Sequence, residues 1–241
     1  MRGWPAVCGG AAEALDEARA QVEILTPFSV TLAASGLAAG KTIVQCHGLT
    51  GGPIPGVPLV RDLSFTMIGP ERVAISGENG SGKTTLLRLL TGELPPDSGT
   101  ACILGRYALL DQTVSLLDPA LTVRDNFRAL NADADENTGR AALARFMFRA
   151  DAALQTVGSL SGGELLRAGL ACTIGGIRPP ELLILDEPTN HLDIFAIQAV
   201  EAGLRAYDGA LLVISHDRRF LAGIGIERKI AMGPVHQGEK T

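Results

Sequence analysis

Gly77-Glu78-Asn79-Gly80-Ser81-Gly82-Lys83-Thr84 fits the phosphate-loop pattern G-x-x-x-x-G-K-[ST] at every fixed position. The pattern gains meaning from its surroundings. The apolar run Arg72-Val73-Ala74-Ile75-Ser76 ahead of it reads as a strand. Behind it, Thr84-Thr85-Leu86-Leu87-Arg88-Leu89-Leu90 reads as a helix closed by Gly92. A glycine-rich turn between strand and helix offers a row of backbone N–H groups and the positive end of a helix dipole, which together wrap phosphates. Lys83 is placed to reach the β- and γ-phosphates of a nucleoside triphosphate, and the Thr84 hydroxyl to hold Mg²⁺. Gly77, Glu78, Asn79, Gly80, Ser81, Gly82 and Thr85 complete the cradle. The competing reading, an ordinary glycine turn before a helix, does not account for the strand in front. Nearby, Gly36-Leu37-Ala38-Ala39-Gly40-Lys41-Thr42 is one residue short of the pattern and follows no strand. It reads as a turn into a strand at Thr42-Ile43-Val44-Gln45-Cys46.

Outward from the loop, the chain alternates between strand and helix patterns. A Gly/Pro-rich stretch at 48–58 separates the Ile43 strand from a second one around Leu63-Ser64-Phe65-Thr66-Met67, a hairpin leading into the phosphate-loop strand. Two more strands are expected at Thr100-Ala101-Cys102-Ile103-Leu104 and Tyr107-Ala108-Leu109-Leu110. Residues 119–176 change character. Thr122-Val123-Arg124-Asp125 and Ser161-Gly162-Gly163-Glu164 are helix starts of the S/T-x-x-acid kind, with a helix at 141–150 between them, so this span reads as a helical insertion. Strands return at Leu182-Leu183-Ile184-Leu185 and Leu211-Leu212-Val213-Ile214, both continuously apolar, as parallel strands covered on both faces are. Asp193 caps a helix whose Ile197, Val200 and Leu204 share one face. At the N-terminus, Leu15, Ala18, Val22 and Leu25 mark an amphipathic helix stopped by Pro27.

The bulk properties exclude several classes. A length of 241 residues suffices for one large domain with an extension, and 46% hydrophobic with 20% charged residues is a globular balance. A net charge of −5 argues against coating nucleic acid by charge, and no sequence-specific nucleic-acid binding is expected. Arg218, Arg219, Arg228 and Lys229 read as a solvated basic surface. No apolar run approaches the roughly 18 residues of a membrane span, so no direct membrane insertion is expected. Pro5, Gly9, Gly10 and Glu13 interrupt any secretory core. Cys8, Cys46, Cys102 and Cys172 are scattered and read as reduced thiols of a cytoplasmic chain.

A second nucleotide motif follows. Leu182-Leu183-Ile184-Leu185-Asp186-Glu187 is an apolar strand ending in two adjacent carboxylates. In phosphate-loop NTPases an acid at such a strand end contacts the Mg²⁺ shell, the role given to Asp186. Transfer to water needs a group to orient or deprotonate it, and Glu187 stands next door. By itself, Asp-Glu-Pro is equally a strand-to-loop exit.

Taken together, these motifs resemble the ATP-binding cassette (ABC) ATPases, from about residue 43 to 230. Leu160-Ser161-Gly162-Gly163-Glu164 is similar to the cassette signature, in which Gln is usual where Glu164 stands; a plain capping box is the alternative. The resemblance implies that Ser161, Gly162 and Gly163 contact the γ-phosphate of ATP held by a second cassette. It places Gln112 of Asp111-Gln112 on Mg²⁺ and the attacking water, Asp193 of Asn190-His191-Leu192-Asp193 near the dimer seam, and His216 of Ser215-His216-Asp217 on the γ-phosphate. Catalytic roles thus fall to Glu187, His216 and Gln112, and metal contacts to Thr84, Gln112 and Asp186, with ATP and Mg²⁺ as ligands. The implied fold is α/β, a P-loop NTPase of the ABC type. Its core sheet is mainly parallel, with an N-terminal antiparallel β subdomain and an inserted helical subdomain at about 115–176. Residues 41–235 form the domain, 1–40 a linker-like extension and 236–241 a tail.

Residues 186–193 and 215–221 look most like the ABC-F branch, soluble proteins of paired cassettes, many of which act on the ribosome. The short span from Gln112 to Leu160 resembles a second, C-terminal cassette. The expected activity is Mg²⁺-dependent ATP hydrolysis by paired cassettes, weak in an isolated one, with translation as the setting. The alternatives are the ATPase subunit of a membrane transporter and a cassette that binds ATP with little turnover. One departure stands out. The family stacks adenine on an aromatic in the N-terminal hairpin loop, and residues 47–60 contain none, leaving Ile54 or Val57 for apolar contact.

Overall fold

Two sheets organise the molecule, described here from a computed structural model for residues 31–190 and 192–233. The expected helix at 11–25 and the tail at 236–241 lie outside those residues, as does His191. The first sheet is antiparallel, with strand order β2-β1-β4, from β1 (Thr42–Gly51), β2 (Val60–Ile68) and β4 (Ser98–Ile103). The second is parallel, with order β5-β6-β7-β3-β8, from β3 (Arg72–Ser76), β5 (Tyr107–Leu110), β6 (Leu182–Asp186), β7 (Ala210–Ile214) and β8 (Arg228–Ala231). Every residue of β6 and β7 is buried, which accounts for their unbroken apolar sequence.

The helices in chain order are α1 (Lys83–Leu90), α2 (Val123–Leu130), α3 (Glu136–Arg145), α4 (Gly162–Ile174), α5 (Ile194–Ala206) and α6 (Arg218–Gly223). The two-residue period of a strand divides the core between the faces of the parallel sheet. Leu182, Ile184, Leu212 and Ile214 pack with α1 and the antiparallel sheet. Leu183, Leu185, Leu211 and Val213 pack with α4, α5 and the helices of the insertion. No helix among the described residues is long and apolar enough to cross a membrane.

Several expectations shift. The Ile43 strand runs on to Gly51, across irregular register between Cys46 and Leu49, so the loop after it shrinks to 52–59. The helix expected at 141–150 starts earlier, because the Asp135 side chain accepts from the Thr138 N–H at 2.7 Å and caps it at 136. It ends by Phe146, and Met147 (φ 72°) and Ala150 (φ 45°) leave helical space. Arg228 and Lys229, read as solvated surface, also belong to β8, paired with Val73 and Ala74 of β3, with Lys229 exposed. Arg228 donates to Thr66 O at 2.6 Å and lies 3.0 Å from Glu71.

Candidate functional site

At the carboxyl ends of the parallel strands, where open α/β sheets hold their ligands, lies a cleft of about 770 Å³. Asn79, Gly80 and Gly82 of the 77–82 turn form part of its floor. Gly82 caps α1 in the left-handed region (φ 92°), and a Cβ there would stand 3.1 Å from Leu59. At Gly77 a Cβ would stand 2.5 Å from Ser81 Oγ. No side chain caps α1, and its first turn holds no acidic residue, so its leading N–H groups stay available to an anion. Lys83 is only 8% exposed, and its Nζ donates to Gly77 O at 2.8 Å and Glu78 O at 3.0 Å. The Ser81 hydroxyl is buried and has no hydrogen-bond partner. A buried cation beside an unpartnered hydroxyl and unused helix amides fits a phosphate chain.

The strand ends supply the opposite wall. Asp186 closes β6, and its Oδ2 accepts from Thr84 Oγ1 at 3.3 Å. Burial pushes its carboxyl above the usual range, and the Thr84 hydroxyl and Lys83 oppose that only in part. Two hard oxygen ligands on a buried carboxylate and a hydroxyl suit Mg²⁺, which takes few protein ligands and completes its shell with phosphate and water. Among the described residues there is no cluster of three or more metal-ligating side chains. Glu187 is held at φ 49°, a strained conformation for a side-chain-bearing residue, while its N–H donates to Ile214 O at 2.8 Å. Its Oε1 lies 3.2 Å from Nε2 of His216, beyond the end of β7. Gln112 enters from beyond β5. Beside it, burial raises the Asp111 carboxyl, but donors from Ser115 and Thr113 outweigh that and hold it below the usual carboxylate range.

The sequence-selected residues therefore fall into two groups. Asn79, Gly80, Gly82, Lys83, Thr84, Thr85, Gln112, Asp186, Glu187 and His216 line one cleft. Gly77, Glu78 and Ser81 belong to the same turn without lining it. Ser161 and Gly163 line a separate pocket of about 200 Å³ with Glu164, Arg167, Asp193 and Phe195. Gly162, exposed, lines neither. Ser161 caps α4 in a full capping box, donating from N (2.9 Å) and Oγ (2.7 Å) to Glu164 Oε2. Those bonds from Ser161 hold the Glu164 carboxyl below its usual range.

Sequence reasoning missed Leu59. Among the described residues it is the only wholly apolar side chain lining the main cleft. Ile54 and Val57, the expected apolar contacts, bridge each other instead and lie 60% and 54% exposed outside it. No sequence signal marks Leu59, since its place depends on how β2 starts.

Residues 60–190 match the family model described as ABC transporter. The ATP-binding protein Uup of Haemophilus influenzae is 36% identical over 204 residues, covering 82% of this chain and 31% of that protein. The energy-dependent translational throttle protein EttA of Escherichia coli is 39% identical over 171 residues, covering 68% of this chain and 30% of that protein. The chain thus spans about a third of the length of these relatives. In fold it is similar to a bacterial Atm1-family ABC exporter solved with ATP bound, with a TM-score of 0.69 and 23% identity over 92% of this chain and 42% of that one.

Proposed function

The chain belongs to the ABC transporter family of ATP-binding domains, in an ABC-F-like form, and from that premise we propose that it hydrolyses Mg²⁺-ATP in a site completed by a second cassette. The observation that carries this is the end of β6, which presents two adjacent carboxylates in different settings. One is buried against Thr84 and the other is poised beside His216. Mg²⁺ held by Thr84 Oγ1, Asp186 and Gln112 would neutralise phosphate charge. Lys83 exchanges its two loop carbonyls for phosphate oxygens, and the 77–82 amides fix the chain in line. Glu187 takes the proton of the attacking water as its oxygen bonds to the γ-phosphorus and the bridging oxygen leaves with ADP. His216 steadies Glu187 and would contact the γ-phosphate.

The Ser161 turn shares no lining residue with this cleft and opens to the surface, which supports its use on nucleotide held by another cassette, of this chain or a different one. We further propose a soluble, cytoplasmic protein whose closing and opening act in translation, supported by the likeness to a protein named as a translational throttle. The transporter-subunit alternative rests on fold likeness below 25% identity.

The test is Glu187→Gln. Phosphate release should fall at least ~100-fold with ATP affinity retained, and wild-type specific activity should rise with protein concentration. With ATP, the variant should sediment with ribosomes. Unchanged turnover removes Glu187 from the reaction, and pelleting with membranes replaces the translational setting.

A further inference from the structure

Gln112 reaches the main cleft from the loop just beyond β5. An exposed glutamine on a loop has many rotamers and a pliable backbone, and ordering both around a ligand costs conformational entropy. This loop is already ordered. Asp111 Oδ1 accepts from Thr113 N at 3.0 Å, from Thr113 Oγ1 at 3.0 Å and from Ser115 N at 2.9 Å, and Asp111 Oδ2 accepts from the Ser115 hydroxyl. One carboxylate thus closes the chain around Gln112, which takes no part in those bonds. Both of its oxygens are turned to donors on its own loop, and Asp111 does not line the cleft, so it is not itself placed to hold a metal.

A second anchor lies in the same turn. Val114 sits at φ 48°, a left-handed conformation that a β-branched residue rarely adopts, and it is buried. Its N–H donates to Asp111 O at 3.0 Å, and its carbonyl accepts from the Leu117 N–H at 2.9 Å. Its side chain seats on Gly169 of α4, where an added Cβ would stand 2.7 Å from Val114 Cγ1. Strain of this kind persists only where the surroundings fix it, and here the carboxylate and the glycine notch fix it from two sides.

We propose that Asp111 is a positioning residue which, with Val114, holds Gln112 aimed into the cleft before nucleotide and Mg²⁺ arrive. The inference rests on the Mg²⁺-nucleotide reading of the cleft and adds to it that Gln112 is preorganised, not recruited by the ligand. Groups that orient a metal-facing side chain from behind typically change metal affinity by about 10–100-fold when removed.

The experiment pairs hydrogen exchange at the Thr113 and Ser115 amides with Mg²⁺ titrations of equilibrium ATP binding, on the full chain and three variants. In wild type without nucleotide both amides should be protected, and Mg²⁺-ATP should add little. Protection that appears only with Mg²⁺-ATP overturns the preorganisation. Asp111→Ala should raise the Mg²⁺ concentration for half-maximal effect by about tenfold or more, with metal-free ATP binding unchanged. An unchanged Mg²⁺ requirement, or an equal loss of metal-free binding, overturns the positioning role, the second because a merely structural defect weakens both. Asp111→Asn keeps the oxygen that serves three of the four donors and should recover most of the loss; a defect as large as that of Asp111→Ala would show the charge acting instead of the clamp. Val114→Gly relieves the strained φ but removes the seat on α4, so it too should raise the Mg²⁺ requirement, and no change excludes Val114 from the clamp. A wild type without Mg²⁺-dependent ATP binding overturns the reading of the cleft beneath this inference as well.

Discussion

Replacing Ser81 by alanine should move stability and nucleotide affinity in opposite directions. Ser81 is 3% exposed, and its hydroxyl is unpartnered, enclosed between the turn and Gly77. An orphaned buried hydroxyl costs about 1–3 kcal/mol, and the lower figure suits a small neutral group. Ser81→Ala should therefore stabilise the free protein by about 1 kcal/mol, a rise of roughly 2–4 °C in Tm for a domain of this size. When a phosphate oxygen accepts from that hydroxyl, a bond to a charged acceptor contributes about 1.5 kcal/mol that the variant lacks. The two differences add around the cycle to about 2.5 kcal/mol, roughly a 70-fold weaker Kd for Mg²⁺-ATP. Thermal unfolding without nucleotide, paired with titration calorimetry, measures both halves. A variant that melts below wild type when free, or binds ATP within threefold of wild type, refutes the assignment of that hydroxyl to phosphate.

Two further outcomes follow from buried charges. Burial raises the Asp186 carboxyl, so its contribution to stability is full below the ordinary carboxylate range and is lost as pH rises through its folded value. Asp186→Asn should remove that loss, stabilising the nucleotide-free protein by about 1 kcal/mol at neutral pH while abolishing Mg²⁺-dependent ATP stabilisation; equal pH profiles of Tm for both proteins would contradict it. Far from the cleft, Arg72 donates to Leu204 O at 3.0 Å and Tyr207 O at 2.6 Å, and also to Ile224 O, tying the C-terminal ends of α5 and α6 to the foot of β3. Arg72→Met should cost about 3 kcal/mol in urea unfolding with ATP affinity of the folded protein unchanged, and a loss below 1 kcal/mol would show those carbonyls satisfied without it.

The parts that could be read from the chain are those whose role is set by their immediate neighbours. The 77–84 turn carries its own glycines, lysine and hydroxyl within eight residues, and the β6 motif carries its apolar run and both carboxylates within six. Each needs only a strand before it to become a site. The misread parts depend on distant pairing. β8 is four residues, Arg228–Ala231, with half its positions charged, and becomes a strand only because the edge of β3 is open to it. β1 continues through Gly48 and Gly51, residues that punctuate most chains, because β2 and β4 pair with it on both sides. Asp135 caps α3 at Glu136, five residues ahead of the expected start at 141, because a single capping side chain sets a helix start that the later apolar pattern does not mark.

Leu59 shows what this division means for the cleft itself. Phosphate binding and water activation draw on local segments of the parallel sheet, and a substitution there strikes several functions at once. The apolar part of the wall comes from the loop ahead of β2, through the Leu59 side chain. Changing that side chain leaves Lys83, Asp186 and Glu187 where they are. That wall is therefore free to vary in sequence while the residues of the 77–84 turn and the end of β6 stay fixed.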